Sequence, residues 1–174
     1  MAGDPALRPA GLTGLASRII EGWALLGGIV LLGVALMTTW SAASGVVFRR
    51  PLPGDFELTE MLVAVAAFAF LPYCQLRHAN VTADIFTARA GPRTVAAFTL
   101  LSGLVAFAFS VLLLWRMYDG LLDYRQYVET TAILRVPIWY AYLPALVSLA
   151  LLCLACLITL REALRGMIRA TSPG

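Results

Sequence analysis

The chain lacks the residues on which most catalytic and metal sites are built. It contains no lysine and a single histidine, His78. One histidine excludes a bis-histidine haem within this chain, and His78 with Asp84 and cysteines in apolar runs does not make a zinc site. No nucleophile elbow, phosphate loop or dinucleotide fingerprint is present. We therefore expect no enzyme activity and no cofactor in this chain.

Charge is also scarce. Charged residues make up 13% of the 174-residue chain, against about 25% in a typical soluble domain. The basic residues are all arginines, which are scattered along the chain without a basic patch that alternates with aromatics. This pattern favours anchoring at membrane lipids over a nucleic-acid partner.

Cysteine is limited to Cys74, Cys153 and Cys156, which all lie in apolar runs. The last two have the CxxC spacing of a redox pair. Within an apolar helix, cysteine behaves mainly as a small hydrophobic residue, which is the interpretation we adopt. Nothing in the spacing predicts a disulfide framework.

Long apolar runs are what the chain has in abundance. Hydrophobic residues make up 60% of it, with a mean hydropathy of +0.83. Four runs, at about 23–43, 58–76, 95–117 and 137–160, each approach the ~20 residues that cross a ~30 Å hydrocarbon core. The first run exceeds the ~7–15 residues of a signal-peptide core, so it is predicted to be retained. The sequence predicts an all-α membrane protein, a single four-span domain over residues 1–174.

The arginines set the predicted orientation. Eight lie on the side shared by the two termini and the second loop, and five lie on the opposite side. Because cytoplasmic loops are enriched in basic residues, both termini are expected in the cytoplasm. The eight are Arg8, Arg18, Arg77, Arg89, Arg93, Arg161, Arg165 and Arg169.

The first loop is predicted to be a compact turn because Pro51, Pro53 and Gly54 break helix geometry. Asp55 could cap the second span, which places Glu57 and Glu60 in or near its first turn. Arg49 and Arg50 are expected to pair with Asp55 or Glu57, an exposed type of pair worth only ~0–1 kcal/mol.

The second loop and the third span extend the helical pattern beyond the membrane. Thr82 could cap a short helix that Gly91-Pro92 ends, and its narrow apolar stripe predicts that it lies flat on the membrane surface. The third span keeps helical spacing through Leu122 and is expected to continue past the bilayer.

The interiors of the four spans carry no Asp, Glu, Lys, Arg or His. A solute pathway normally needs ionisable residues at depth or broken helices at the midplane. Serine and threonine hydroxyls in the spans can bond to their own helix or to a neighbouring one. This chain alone is therefore a poor candidate for a channel or transporter and resembles a scaffold for another component.

Several loop segments carry a family resemblance. Residues 48–60 are FRRPLPGDFELTE, residues 71–73 are LPY, residues 78–84 are HANVTAD and residues 132–140 are AILRVPIWY. Together they resemble the small membrane subunit, the DctQ-type component, of TRAP (tripartite ATP-independent periplasmic) transporters. The resemblance places Arg49, His78 and Asp84 at family positions and leaves open whether Glu57 or Glu60 is the equivalent acid.

The resemblance implies a bacterial inner-membrane subunit that scaffolds and anchors a large, multi-span DctM-type permease. It also implies a periplasmic binding protein that delivers an organic acid, with sodium bound in the permease. Under this scaffold hypothesis, the residues that we expect to serve bundle stability or partner contact, and not substrate binding, are Arg49, Glu57, Glu60, Arg77, His78, Asp84, Arg89, Pro137 and Trp139. Close helix approach or filling by lipid is expected at small residues such as Gly27, Gly28, Gly33 and Gly103.

Two other functions remain open from the sequence. One is a membrane anchor of a redox or lipid-modifying enzyme, for which the expected histidine pairs or clustered acids are missing. The other is the small subunit of a tricarboxylate-type tripartite transporter, which shares the four-span plan without the loop that carries His78 and Asp84.

Overall fold

The structure is a computed structural model that describes residues 12–77 and 92–171. These residues form four helices, each long and apolar enough to cross a membrane, as predicted. Within the described ranges, extended pairing is limited to one isolated bridge between Thr130 and Pro137. The predicted interfacial helix falls on residues 78–91, outside the described residues. The helices are α1 (Leu12–Phe48), α2 (Asp55–Leu76), α3 (Pro92–Tyr127) and α4 (Trp139–Thr171).

Three of the helices greatly exceed the predicted spans, among them α4, which has 33 residues and continues past residue 160 to Thr171. α1 has 37 residues and α3 has 36, which is about 55 Å each at 1.5 Å per residue. Apolar runs mark only the part of a helix that suits lipid. The polar turns that flank these runs contain no proline beyond the first residue of α3, and their glycines, such as Gly14 and Gly120, remain helical. α1 ends at Phe48, because Arg49 has a φ of 54° and Pro51 follows. The predicted extension of α3 beyond residue 117 is confirmed.

The helices are arranged as a row in the order α1, α2, α4, α3. α2 packs against α1 on one side and α4 on the other, and α3 packs against α4. α1 meets α4 only slightly. Consequently α4 is the most enclosed helix. In its apolar 18-residue stretch 39% of the residues are buried, whereas in that of α3 only 6% are buried.

The contact between α1 and α2 depends on a small residue. A Cβ placed on Gly27 would lie 2.8 Å from the Cβ of Ala69 and 3.5 Å from the carbonyl oxygen of Ala66. The missing side chain therefore lets the two helices approach closely. A Cβ on Gly28 or Gly33 would meet nothing within 4 Å, so among these three α1 glycines only Gly27 lies at a close helix contact within the described chain. At the α3–α4 contact, a Cβ on Gly103 would lie 3.4 Å from Leu160.

Polar side chains also connect neighbouring helices. The Trp23 indole N–H donates to the Ser148 hydroxyl at 2.9 Å, which joins α1 to α4. Gln75 donates to Thr159 at 3.3 Å, which joins α2 to α4. The Cys153 thiol lies 3.3 Å from the Ser110 hydroxyl across α3 and α4. In lipid such bonds average ~0.6 kcal/mol, so they orient the helices more than they hold them together.

Candidate functional site

The first loop is fixed to α1 by one buried hydroxyl. Ser41, only 2% exposed, donates to the Asp55 carboxylate and accepts the Leu52 backbone N–H at 3.2 Å. Asp55 also accepts the Phe56 N–H at 2.7 Å. The expectation that Asp55 caps α2 is wrong, because Gly54 is the N-cap and Asp55 is the first helical residue. Asp55 instead joins the start of α2 to the end of α1.

Neither predicted ion pair of the first loop forms. In residues 12–77 and 92–171, Arg49 and Arg50 make no salt bridge, and the pairing expected with Asp55 or Glu57 is wrong. Both carboxylates are already used by uncharged donors, the Ser41 hydroxyl and backbone N–H groups. Because both arginines are exposed, they keep their hydration instead.

Glu57 binds the loop between α3 and α4. Its Oε1 accepts the Ile133 N–H at 2.7 Å and its Oε2 accepts the Leu134 N–H at 3.1 Å. One carboxylate thus satisfies two successive backbone donors, and charge-assisted bonds of this kind are stronger than neutral ones. Glu57 therefore fastens the α3–α4 loop to the first turn of α2.

The α3–α4 loop is folded so that these donors face α2. Thr131 N–H donates to the Val136 carbonyl at 2.9 Å, and Val136 N–H donates back to the Thr131 hydroxyl at 3.1 Å. At the base of the same loop, next to the two helices, the Ile138 N–H donates to the Glu129 carbonyl at 3.1 Å. The result is a short hairpin whose tip, residues 132–135, carries the two N–H groups that Glu57 accepts.

Gly54 lets the tip of the hairpin sit on the start of α2. Its φ of 78° lies in the left-handed region, which glycine adopts without strain. The Leu134 side chain occupies the space that any Cβ at this position would need. Gly54, Glu57 and Leu134 thus form one contact that joins both loops at this end of the protein, which we call the Glu57 rim (residues 49–60 and 128–139).

Pro137 and Trp139 form the start of α4 at the same rim. The Pro137 carbonyl accepts the Tyr140 N–H at 3.2 Å in the turn that leads into the helix. The Trp139 ring lies 4.2 Å from the Tyr140 ring and 5.6 Å from the Arg125 guanidinium of α3. A cation over an aromatic face is attracted by the ring quadrupole, so this contact connects α3 with α4.

Arg77 lies at the opposite end of the protein. Its Nη2 is 2.7 Å from Glu21 Oε1 on α1, and its guanidinium lies 5.5 Å from the Tyr73 ring. The structure therefore places the predicted residues in two groups at opposite ends and does not bring Arg77 near Glu57. His78, Asp84 and Arg89 lie outside the described residues.

Removing the Arg77 ion pair is expected to change stability little. The side chains of Arg77 and Glu21 are 57% and 40% exposed, and exposed pairs contribute ~0–1 kcal/mol. Arg77→Ala should lower the melting temperature of the detergent-purified protein only slightly, and a Glu21→Arg/Arg77→Glu exchange should restore it. A large loss in Arg77→Ala that the exchange fails to repair would assign Arg77 a different role.

The described residues offer nothing that resembles a catalytic or metal centre. In the ranges given above, no group of three or more His, Cys, Asp or Glu side chains is placed to hold a metal ion. In the Glu57 rim, Asp55 accepts the Ser41 hydroxyl and a backbone N–H group, and Glu57 accepts two backbone N–H groups. What this arrangement does chemically is to hold two loops together at one membrane boundary.

Comparison with known families decides among the remaining alternatives. A model of the DctQ component of tripartite ATP-independent periplasmic transporters matches residues 34–166, well over half of the chain. The chain belongs to the DctQ family. The match begins within α1, includes the Glu57 rim and extends into the last turns of α4. Searches among curated proteins and among solved structures gave no match.

The DctQ assignment confirms the resemblance found in the loops. The protein is the small membrane component of a TRAP transporter, a multi-pass inner-membrane protein. Transporters of this kind combine it with a large DctM subunit and a binding protein. The assignment sets aside the tricarboxylate-type alternative.

Several residues at or next to the rim were missed from the sequence. Ser41, Thr131 and Leu134 were not singled out, and each acts through a partner that is distant in the chain or in the same short loop. A serine within an apolar run was the only signal for Ser41, because a polar side chain at depth normally bonds to something. Leu134 lies in the segment 132–140 that carries the family resemblance, but its contact with Gly54 depends on the fold of the hairpin.

Proposed function

We propose that this DctQ-family chain is a non-catalytic scaffold that anchors the large permease subunit. The transporter would take up an organic acid, delivered by the periplasmic binding protein, together with sodium bound in the permease. In this proposal both termini are cytoplasmic and the Glu57 rim is periplasmic.

The main observation in support is the absence of charge at depth. Residues 22–48, 61–76, 94–115 and 136–160 hold no Asp, Glu, Lys, Arg or His. Ion and solute pathways through membranes are usually marked by such residues. A subunit without them is suited to supporting a pathway that lies in its partner.

The exposed faces of the helix row offer the scaffold a partner surface. Large apolar side chains cover the outer sides of α1 and α3, such as Leu25 and Leu36 on α1 and Phe109 and Trp115 on α3. Because α1 and α3 terminate the row, each has one side that no other helix of the described chain covers. The permease would cover part of this surface and lipid the rest.

The rim contacts suit a scaffold as well. Ser41, Asp55 and Glu57 connect the first loop, α2 and the hairpin, so that the periplasmic surface is held in one shape. Within this proposal the site residues predicted from the sequence stabilise the bundle or its docking and do not touch the substrate. They are Arg49, Glu57, Glu60, Arg77, His78, Asp84, Arg89, Pro137 and Trp139.

Co-purification tests the scaffold role. With an affinity tag on this chain, the large subunit encoded with it should co-purify, and omission of this chain should reduce the yield of stable permease and sodium-driven uptake in proteoliposomes. A permease that is stable and fully active without this chain would contradict the proposal. A catalytic product or a cofactor spectrum from the purified chain would support an enzyme anchor instead.

Replacing His78 with alanine is expected to lower complex yield or the uptake rate without altering which acid is taken up. The reason is that specificity resides in the permease and the binding protein under this proposal. Uptake of a panel of organic acids by wild-type and variant complexes measures both properties. A changed order of preference among the acids would place His78 in the substrate pathway and contradict the prediction.

A further inference from the structure

A cavity of about 560 Å³ lies between α2 and α3 beneath the hairpin of the Glu57 rim. α2 and α3 both pack on α4 and are not packed along their lengths against each other. Where they face one another, α4 lines the cavity with Ala141, Tyr142 and Ala145, and the Tyr142 ring lies 5.1 Å from the Tyr124 ring of α3. The small side chains of Ala141 and Ala145 leave space beside this pair of rings, and the cavity is partly open.

The depth of this cavity corresponds to one leaflet of a bilayer. Its lining follows α2 from Glu57 to Phe68, which is about 16 Å at 1.5 Å per residue. Half of a ~30 Å hydrocarbon core is about 15 Å. Away from the rim the lining is apolar, with Val65 and Phe68 of α2 and Met117 of α3. Its length and chemistry fit an acyl chain that enters from the rim side.

The mouth of the cavity is polar and carries negative charge. Glu60 lines it together with the Thr130 and Thr131 segment of the hairpin. In the part of the chain that the structure describes, the Glu60 carboxylate has no hydrogen bond or ion pair, whereas Glu57 is occupied by two N–H groups. Of the cations at this end of the protein, Arg125 lies over the Trp139 ring, and Arg49, Arg50 and Arg135 are exposed and do not line the cavity. The mouth therefore offers an acceptor of charge −1 to a cationic group.

We propose that this cavity binds one phospholipid with a primary ammonium headgroup. The ammonium of a phosphatidylethanolamine would lie at Glu60, and one acyl chain would extend along Ala141 and Ala145 to Phe68. The volume falls within the ~300–1,000 Å³ range of small-molecule sites. The bound lipid fills the gap between α2 and α3, and an anionic headgroup is disfavoured by the Glu60 charge.

A segment of the permease is the competing occupant. Two features favour a lipid. The cavity is as deep as one leaflet, and its lining changes from a charged mouth to an apolar interior, just as a lipid has a charged headgroup followed by an apolar chain. A protein segment would need to place a cationic side chain at the mouth and a slender apolar stretch below it. The two occupants give different results in the experiment.

Native mass spectrometry of the full-length chain in detergent measures the binding. Palmitoyl-oleoyl phosphatidylethanolamine or phosphatidylglycerol is added at equal concentration, to the chain alone and to its complex with the permease. Three variants are compared with the wild type. Ala64→Phe fills the cavity from α2, and Glu60→Gln removes the charge at its mouth. Ala67→Phe is the control, because Ala67 is also an exposed alanine of α2 but does not line the cavity.

The wild type should retain one phosphatidylethanolamine, in the chain alone and in the complex, and prefer it over phosphatidylglycerol. An exposed charge contact of up to ~1 kcal/mol corresponds to a preference of roughly two- to fivefold. Ala64→Phe should lose the adduct, Ala67→Phe should keep it, and Glu60→Gln should keep lipid binding but lose the preference. Equal binding of both lipids, an adduct unaffected by Ala64→Phe, or loss of the lipid when the permease binds would overturn the proposal.

Discussion

Replacing Glu57 with alanine is expected to release the α3–α4 hairpin from α2. The carboxylate accepts the Ile133 and Leu134 N–H groups, and alanine leaves both donors without an acceptor on α2. In hydrogen-exchange mass spectrometry, the amides of residues 132–135 should approach the exchange rate of an unstructured peptide. Because the hairpin also leads into α4, the variant should melt at a lower temperature than the wild type.

Two matched variants separate the carboxylate contact from a general effect of charge. Glu57→Gln keeps one acceptor oxygen and should retain part of the protection, whereas Glu60→Ala removes an acid one turn away that makes no hydrogen bond to the described hairpin. Glu60→Ala should therefore leave exchange at residues 132–135 unchanged. Full protection in Glu57→Ala would show that the hairpin is held by its internal bonds and Leu134 alone.

Replacing Gly27 with leucine is expected to separate α1 from α2. Its Cβ would come within 2.8 Å of the Ala69 Cβ, and alanine has no side-chain rotation with which to move away. Overpacking of a tight contact typically costs about 1–3 kcal/mol. The melting temperature in detergent should fall. A pair of spin labels, one in the middle of α1 and one in the middle of α2, should report a greater distance between the two helices.

Gly28→Leu is the control for this change. It adds the same side chain to the next residue of the same helix, where nothing lies within 4 Å of the new Cβ. It should leave both the melting temperature and the α1–α2 distance close to those of the wild type. Similar losses in Gly27→Leu and Gly28→Leu would show that leucine at this depth disturbs α1 itself and not its contact with α2.

The membrane architecture could be predicted from the sequence because the bilayer imposes a length. Each apolar run had to be a helix of ~20 residues, since backbone groups in lipid must be paired within the segment. The beginning of α2 and the extension of α3 followed from the prolines of the first loop and the continued helical spacing. The family also followed, because its signals lie in loop segments of distinctive composition.

The neighbours of each helix could not be predicted. All four helices are apolar on most sides, so periodicity does not show which side faces protein and which faces lipid. Gly27 and Gly28 are adjacent and chemically identical, yet a rotation of about 100° about the helix axis places only the first against α2. That distinction exists only once the helices are packed.

The role of Glu57 escaped prediction for a related reason. The groups that donate to it, the N–H groups of Ile133 and Leu134, are distant in the chain and belong to the backbone, which leaves no trace in side-chain chemistry. From the sequence alone, a glutamate at position 57 was explained equally well by a favourable charge in the first turn of α2 or by an ion pair with Arg49. Only the fold of the hairpin, with its tip on Gly54, selects the contact that forms.

Transport by the isolated chain tests the central claim most directly. The chain is reconstituted without its permease into vesicles that carry an inward sodium gradient, and uptake of a labelled organic acid is measured with its binding protein present. A scaffold without charge at depth should give uptake equal to that of empty vesicles, whereas vesicles that also contain the permease should accumulate the acid. Sodium-dependent uptake by the chain alone would contradict the account.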